Sequence, residues 1–205
     1  IVHRDITPAN VMIDVDPGAR LDIAKVRLFD FGLAAAPGQP ALATQGLIWG
    51  SARYLSPEQA VGDPVYPAGD IYQVGALLYY ALTGRPPFVR ETVEDVMRAH
   101  VNDPLEAPVA YRSDLPAEVD RVVRQALRKD QGERFRSAQQ MRAAVREARL
   151  LLRENDVITD QLTPVTRGVG TSTRTSTLAP LSTRPDTQRT RRGAGLLWVI
   201  LAVPW

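Results

Sequence analysis

Two short apolar-rich runs come first, Val11-Met12-Ile13 and Val26-Arg27-Leu28. Their length, and the turn-forming Asp16-Pro17-Gly18 between them, predict a β-hairpin. Residues 34–68 carry Gly, Pro and Ala with little periodicity. They read as one long loop, which in a compact domain is usually functional. From Asp70 the pattern turns helical. Ile71, Val74, Leu77, Leu78 and Ala81 recur at helical spacing until Gly84 and Pro86-Pro87 stop the run. This helix is apolar almost all round, which predicts a buried, central position. A second helix is predicted over Thr92–Val101, with Val93, Val96, Met97 and His100 on one side. Pro116 opens a third, striped by Val119, Val122, Val123 and Leu127. Ser137 caps a fourth, which runs through Met141, Val145 and Ala148 to about Leu152. The predicted fold class is mostly α: a short β-hairpin followed by a helical bundle.

The pattern then changes. Residues 156–195 are rich in Thr, Ser, Arg, Pro and Gly and hold too little apolar surface to offset the entropy of ordering. The chain divides accordingly into a folded domain over 1–152, a disordered linker over 153–195 and an apolar run over 196–205. Ten helical residues reach about 15 Å, half of a bilayer core of about 30 Å. With Arg189, Arg191 and Arg192 just before it, the run reads as the start of a truncated transmembrane helix with its basic flank on the cytoplasmic side.

Composition narrows the function classes. The 205 residues are 44% hydrophobic and 23% charged, an ordinary globular balance, with a formal net charge of +2. No cysteine is present, which excludes disulfides, zinc–thiolate sites and thiol catalysis. No basic stripe interleaved with aromatics marks a nucleic-acid surface. The chain does not begin with Met and reads as a piece of a longer protein.

The chemistry concentrates near residue 1. His3-Arg4-Asp5, Asn10 and Phe29-Asp30-Phe31-Gly32 set two carboxylates and an amide on neighbouring short loops. Asp5 is placed to accept a hydroxyl proton, and Asn10 and Asp30 offer the hard oxygens that magnesium prefers. The string HRDITPAN…FDFG resembles the catalytic and metal-binding loops of the protein kinases. Four further stretches resemble that family in order. They are Gly50-Ser51-Ala52-Arg53-Tyr54-Leu55-Ser56-Pro57-Glu58-Gln59, Asp70-Ile71-Tyr72-Gln73-Val74-Gly75, Gly84-Arg85-Pro86-Pro87-Phe88 and Lys129-Asp130-Gln131-Gly132-Glu133-Arg134-Phe135. Together with the linker and the apolar end, they are most similar to bacterial transmembrane receptor-type serine/threonine kinases.

The resemblance implies a C-lobe with the N-lobe absent, ATP and Mg2+ (or Mn2+) as cofactors, and proteins bearing Ser or Thr as substrates. It implies a membrane-tethered domain on the cytoplasmic face, which could dimerise for autophosphorylation. It implies Asp5 as general base and Asn10 and Asp30 as metal ligands. His3 and Phe31 become packing residues, and Gly32 a position of special backbone geometry. Glu58 pairs with Arg134, and Asp70 braces the backbone of His3-Arg4. Arg4 can bind a phosphate on the activation segment, and Thr44, the sole hydroxyl between Asp30 and Ser51, is its expected carrier. Thr44→Ala in the native chain would then lower activity; unchanged activity would remove that role. Ser51 sits where the family has Thr and is expected to position loop and base.

Two departures stand out. Thr7 occupies the place of a Lys that would put positive charge near the transferred phosphate. The hairpin carries extra residues around Pro17–Ile23. No glycine-rich G-x-G-x-x-G occurs, and the lysines are Lys25 and Lys129, neither in the strand context of a kinase. The 205-residue stretch alone is therefore expected to be inactive. The alternative reading is a pseudokinase scaffold that docks partners with little or no catalysis.

Overall fold

A computed structural model of the chain describes residues 1–13, 26–40 and 49–161. The predicted strands are present: β1 (Val11–Ile13) pairs antiparallel with β2 (Val26–Leu28), in the register Val11 to Leu28 and Ile13 to Val26. The turn around Asp16-Pro17-Gly18 and the extra residues at Pro17–Ile23 lie outside the described residues. The described part of 34–68 is more ordered than a long loop. It contains β3 (Gln39–Pro40), α1 (Trp49–Ala52), α2 (Pro57–Val61) and β4 (Pro64–Val65), with β3 and β4 paired antiparallel. These elements are too short for sequence periodicity to reveal, and they are held by contacts made far along the chain.

The central helix α3 (Pro67–Thr83) begins with Pro at its first position, where the missing N–H has no role. It ends at Gly84, whose φ of 76° lets its N–H return to the Tyr80 carbonyl. Every residue from Gly69 to Tyr79 is buried, as its all-round apolar character requires. α4 (Val93–Asn102) starts where Thr92 Oγ1 accepts from the Asp95 N–H at 3.1 Å. It packs Val93, Val96 and Met97 against Ala52 and Leu55. Its His100 donates or accepts at Tyr72 Oη, 2.9 Å away. Burial, reinforced by nearby Lys129, lowers its pKa to about 3, so this ring is neutral.

α5 (Ala117–Ala126) lays Val119, Val122, Val123 and Ala126 on α3. α6 (Ala138–Gln161) adds Met141, Val145 and Ala148 to the same core, and Ser137 Oγ accepts from the Gln140 N–H at its start. The helix continues past Leu152 to Gln161, so the first residues of the expected disordered linker are helical. Leu151, Leu152, Arg153 and Glu154 all favour helix, and the turn they form costs little to extend. Among the described residues no helix is long and apolar enough to cross a membrane; residues 196–205 lie outside them.

Candidate active site

The loop of His3, Arg4, Asp5 and Ile6 is hung from α3. Asp70, in the first turn of that helix, accepts from the His3 N–H at 2.8 Å and the Arg4 N–H at 2.9 Å. It is buried, and burial raises its pKa, with the two backbone bonds working in the opposite direction. One turn further on, Gln73 Oε1 accepts from the Ile6 N–H at 2.9 Å while its Nε2 donates to the Arg4 carbonyl at 2.9 Å. Gln59, on α2, donates to the same carbonyl at 2.7 Å. Its Oε1 accepts from Gln73 Nε2, the Ser56 N–H and Ser56 Oγ. Sequence reasoning missed Gln59 and Gln73. The available signal was a glutamine inside an otherwise apolar helix, since a buried amide must find partners.

These anchors hold an unfavourable backbone. Arg4 has φ 70° and Asp30 has φ 64°, left-handed values that cost a non-glycine residue roughly 1–2 kcal/mol. Such residues persist where their surroundings over-determine them, and functional loops are where they gather. Gly32 was expected to supply the special backbone; its φ is not in the positive range. What its position demands is space, because a Cβ there would lie 3.0 Å from Asp30 Oδ1. That oxygen also accepts from the Gly32 N–H at 3.2 Å.

Asp5 and Asn10 are brought together. Asn10 Nδ2 donates to the Asp5 Oδ2 at 2.7 Å and to the Asp5 carbonyl at 2.8 Å. Both amide protons are thus directed at Asp5, so Asn10 Oδ1 is the atom that could face a cation. The Asp5 carboxyl is half-buried and its pKa is raised, first by burial and least by the charge of nearby Asp30; the Asn10 bond and His3 oppose the shift. A raised pKa improves a carboxylate as a general base.

His3 is buried, with its Nδ1 3.3 Å from the Asp5 N–H and its ring 4.6 Å from that of the half-exposed Phe31. Since a backbone N–H can only donate, Nδ1 accepts. Thr7 is buried at the start of a 3-10 turn over Pro8–Asn10, and its carbonyl accepts from the Asn10 N–H. Its hydroxyl makes no capping bond there. Ser51, on α1, is half-buried, and among the described residues no hydrogen bond joins it to Asp5 or Thr7. Thr44 lies outside the described residues.

Arg4 and Arg134 tie down β3 and α2. Arg4 Nη1 donates to the Pro40 carbonyl at 3.1 Å and Nη2 to the Gln39 carbonyl at 2.9 Å. Its guanidinium therefore clasps β3. Arg134 Nη1 and Nη2 meet Glu58 Oε1 and Oε2 at 2.8 and 2.9 Å, both residues being buried. The remaining donors of Arg134 go to the carbonyls of Ala68, Arg128 and Lys129, so all five N–H groups are used.

Magnesium would find two hard oxygen donors here, Asn10 Oδ1 and the Asp30 carboxylate. Among the described residues no group of three or more His, Cys, Asp or Glu side chains could hold a metal. The donor set therefore fits an ion that keeps waters and shares phosphate oxygens, as magnesium does, and not a closed protein cage.

Residues 1–145 match the family model described as "Protein kinase domain". A probable serine/threonine-protein kinase of Streptomyces coelicolor is 42% identical over 147 residues, 71% of this chain and 21% of that relative. Serine/threonine-protein kinase PknB of Mycobacterium tuberculosis is 40% identical over 146 residues, 70% of this chain and 22% of the relative. A serine/threonine-protein kinase named drp72 in Corynebacterium efficiens is 37% identical over 150 residues, 73% and 27% respectively. The aligned residues span about a fifth to a quarter of the length of these curated relatives.

Proposed function

This chain belongs to the protein kinase domain family, and from that premise we propose that it serves to transfer the γ-phosphoryl group of ATP to serine and threonine hydroxyls of proteins. The observation that carries this reading is the Asp5–Asn10 clasp, in which one amide gives one proton to the carboxylate and the other to the main-chain carbonyl of the same residue and leaves its oxygen for a cation. A carboxylate so held, with the Asp30 carboxylate close enough to raise its pKa, matches what phosphoryl transfer asks of a protein: positioning and charge.

In this reading Asp5 accepts the proton of the substrate hydroxyl as that oxygen bonds to the γ-phosphorus. The bond from phosphorus to the β–γ bridging oxygen breaks, and ADP departs with the electron pair. Asn10 and Asp30 would hold magnesium (or manganese), which when bound would supply positive charge to the phosphate oxygens. His3 supports the loop beneath Asp5, and Phe31 covers His3. Thr7 supplies a neutral side chain where the family has a cation, which predicts a slow chemical step. That substitution is what favours the second reading, a scaffold with little catalysis.

One comparison decides between the two. Phosphate transfer from γ-labelled ATP to a Ser/Thr peptide is measured in the full native chain carrying these residues, beside Asp5→Asn. Activity that Asp5→Asn removes supports the kinase; equal and negligible incorporation by both supports the scaffold. We also propose that residues 196–205 tether the domain to the cytoplasmic face of the membrane, on the strength of the apolar run and the arginines before it. Deleting that run should release the native chain from the membrane fraction, and undiminished membrane association would contradict the tether.

A further inference from the structure

We infer that Gln73 is a positioning residue for the catalytic base: its side-chain amide fixes the backbone on both sides of Asp5. The inference rests on the phosphotransfer reading above. The Arg4 carbonyl belongs to the peptide unit that precedes the Asp5 Cα, and the Ile6 N–H to the unit that follows it. Gln73 grips both, at 2.9 Å each. With both peptide planes held, neither φ nor ψ of Asp5 can turn freely, and the carboxylate inherits that fixity.

The orientation of the amide is determined. An N–H can only donate, so the atom facing Ile6 is Oε1 and Nε2 must face the Arg4 carbonyl. The two protons of Nε2 are then used on the Arg4 carbonyl and on Gln59 Oε1, 3.0 Å away. Gln73 is fully buried, and the three contacts are made where water does not compete. A glutamine kept merely to satisfy itself could bond anywhere along the buried helix. This one reproduces the paired donor and acceptor of an adjacent strand, across the one residue whose position sets the reaction. Gln59 couples the same Arg4 carbonyl to α2, so the seat of Asp5 and the seat of the activation segment meet at one oxygen.

The test compares Gln73→Met, of similar shape without hydrogen bonds, and Gln73→Glu with the native chain. Misplacing a reacting group by even about 1 Å costs about a hundredfold, so Gln73→Met is expected to lose about that much kcat while KM for ATP and peptide is unchanged. Gln73→Glu lacks that donor whenever it is ionised. Protonation restores one, so its activity relative to the native chain should rise as pH falls, although the native chain itself declines with Asp5. A folded Gln73→Met with native kcat, a loss confined to KM, or a pH-independent ratio for Gln73→Glu would each overturn the role. If Gln73→Met does not fold, the pH ratio of Gln73→Glu decides alone. If the native chain shows no transfer that Asp5→Asn removes, the phosphotransfer reading fails instead. The backbone grip is then read by amide exchange in the 205-residue chain, where Gln73→Met, which removes the acceptor of the Ile6 N–H, should accelerate Ile6 and leave Val96 in α4 unchanged. Unaltered Ile6 exchange would refute the grip.

Discussion

Asp5 is a carboxylate pulled in two directions, and the balance sets its chemistry. Burial raises its pKa above 3.8, and the Asn10 hydrogen bond partly offsets this by favouring the charged form. In the proposed reaction Asp5 must be ionised to accept a proton. Activity should therefore fall as pH drops through the Asp5 pKa, at a higher pH than an ordinary carboxylate would give. Asn10→Ala removes the opposing bond, so the Asp5 titration should move further up. Carboxyl carbon shifts measured against pH check this without recourse to activity, and a downward or absent displacement would contradict it. That Asp5, Asn10 and Asp30 would lie on neighbouring loops was legible in the sequence from residue type and order. The left-handed φ of Arg4 and Asp30 was not, since neither residue type announces it. At Arg4 that backbone is held by anchors contributed by residues far along the chain.

The contacts between elements follow a different logic. Gly75 of α3 faces α5 so closely that a Cβ would lie 2.7 Å from that of Ala126. Glycine inside a helix costs about 1 kcal/mol relative to alanine, yet Gly75→Ala should destabilise by about 1–3 kcal/mol because the two helices must part. Urea unfolding will show this as a lower midpoint; a higher one would mean that the helices give way cheaply. The Glu58–Arg134 pair joins α2 to the turn before α6. Glu58→Gln leaves a buried guanidinium without its counter-charge and should cost about 3–5 kcal/mol, measured in the same way. A loss below about 1 kcal/mol, the range of exposed pairs, would show that the site is wetter than its burial implies. The four long helices were legible through their apolar period. The elements α1, α2, β3 and β4 were not. A strand of two residues carries no period, and Arg4 and Arg134, which steady this region, come from elsewhere in the sequence.

At the scale of the whole molecule, the described residues form a helical core around α3 with the candidate site at one end of that helix. Its first turns supply Asp70 and Gln73 to the catalytic loop, while its later residues are filled by α5 and α6. Ile1, Met12, Phe29, Phe31 and Leu33, all near the catalytic and metal loops in sequence, remain substantially exposed. The 205 residues contain no glycine-rich phosphate loop. We therefore predict that this stretch by itself binds ATP weakly and phosphorylates nothing measurable, even with its helical core folded. Calorimetric titration with Mg-ATP and a peptide assay on the 205-residue chain test this, and robust turnover would refute it.

The Arg4 clasp has a consequence for how this protein can vary over generations. The guanidinium ends on the main-chain oxygens of Gln39 and Pro40, and three of the five Arg134 donors likewise end on those of Ala68, Arg128 and Lys129. A carbonyl is the same whatever side chain it carries, even proline. The donor side of each contact is thus bound to one amino acid, and the acceptor side is open to drift. Segments around the site can change their surface, and with it the partners they meet, without renegotiating the bonds that hold them in place.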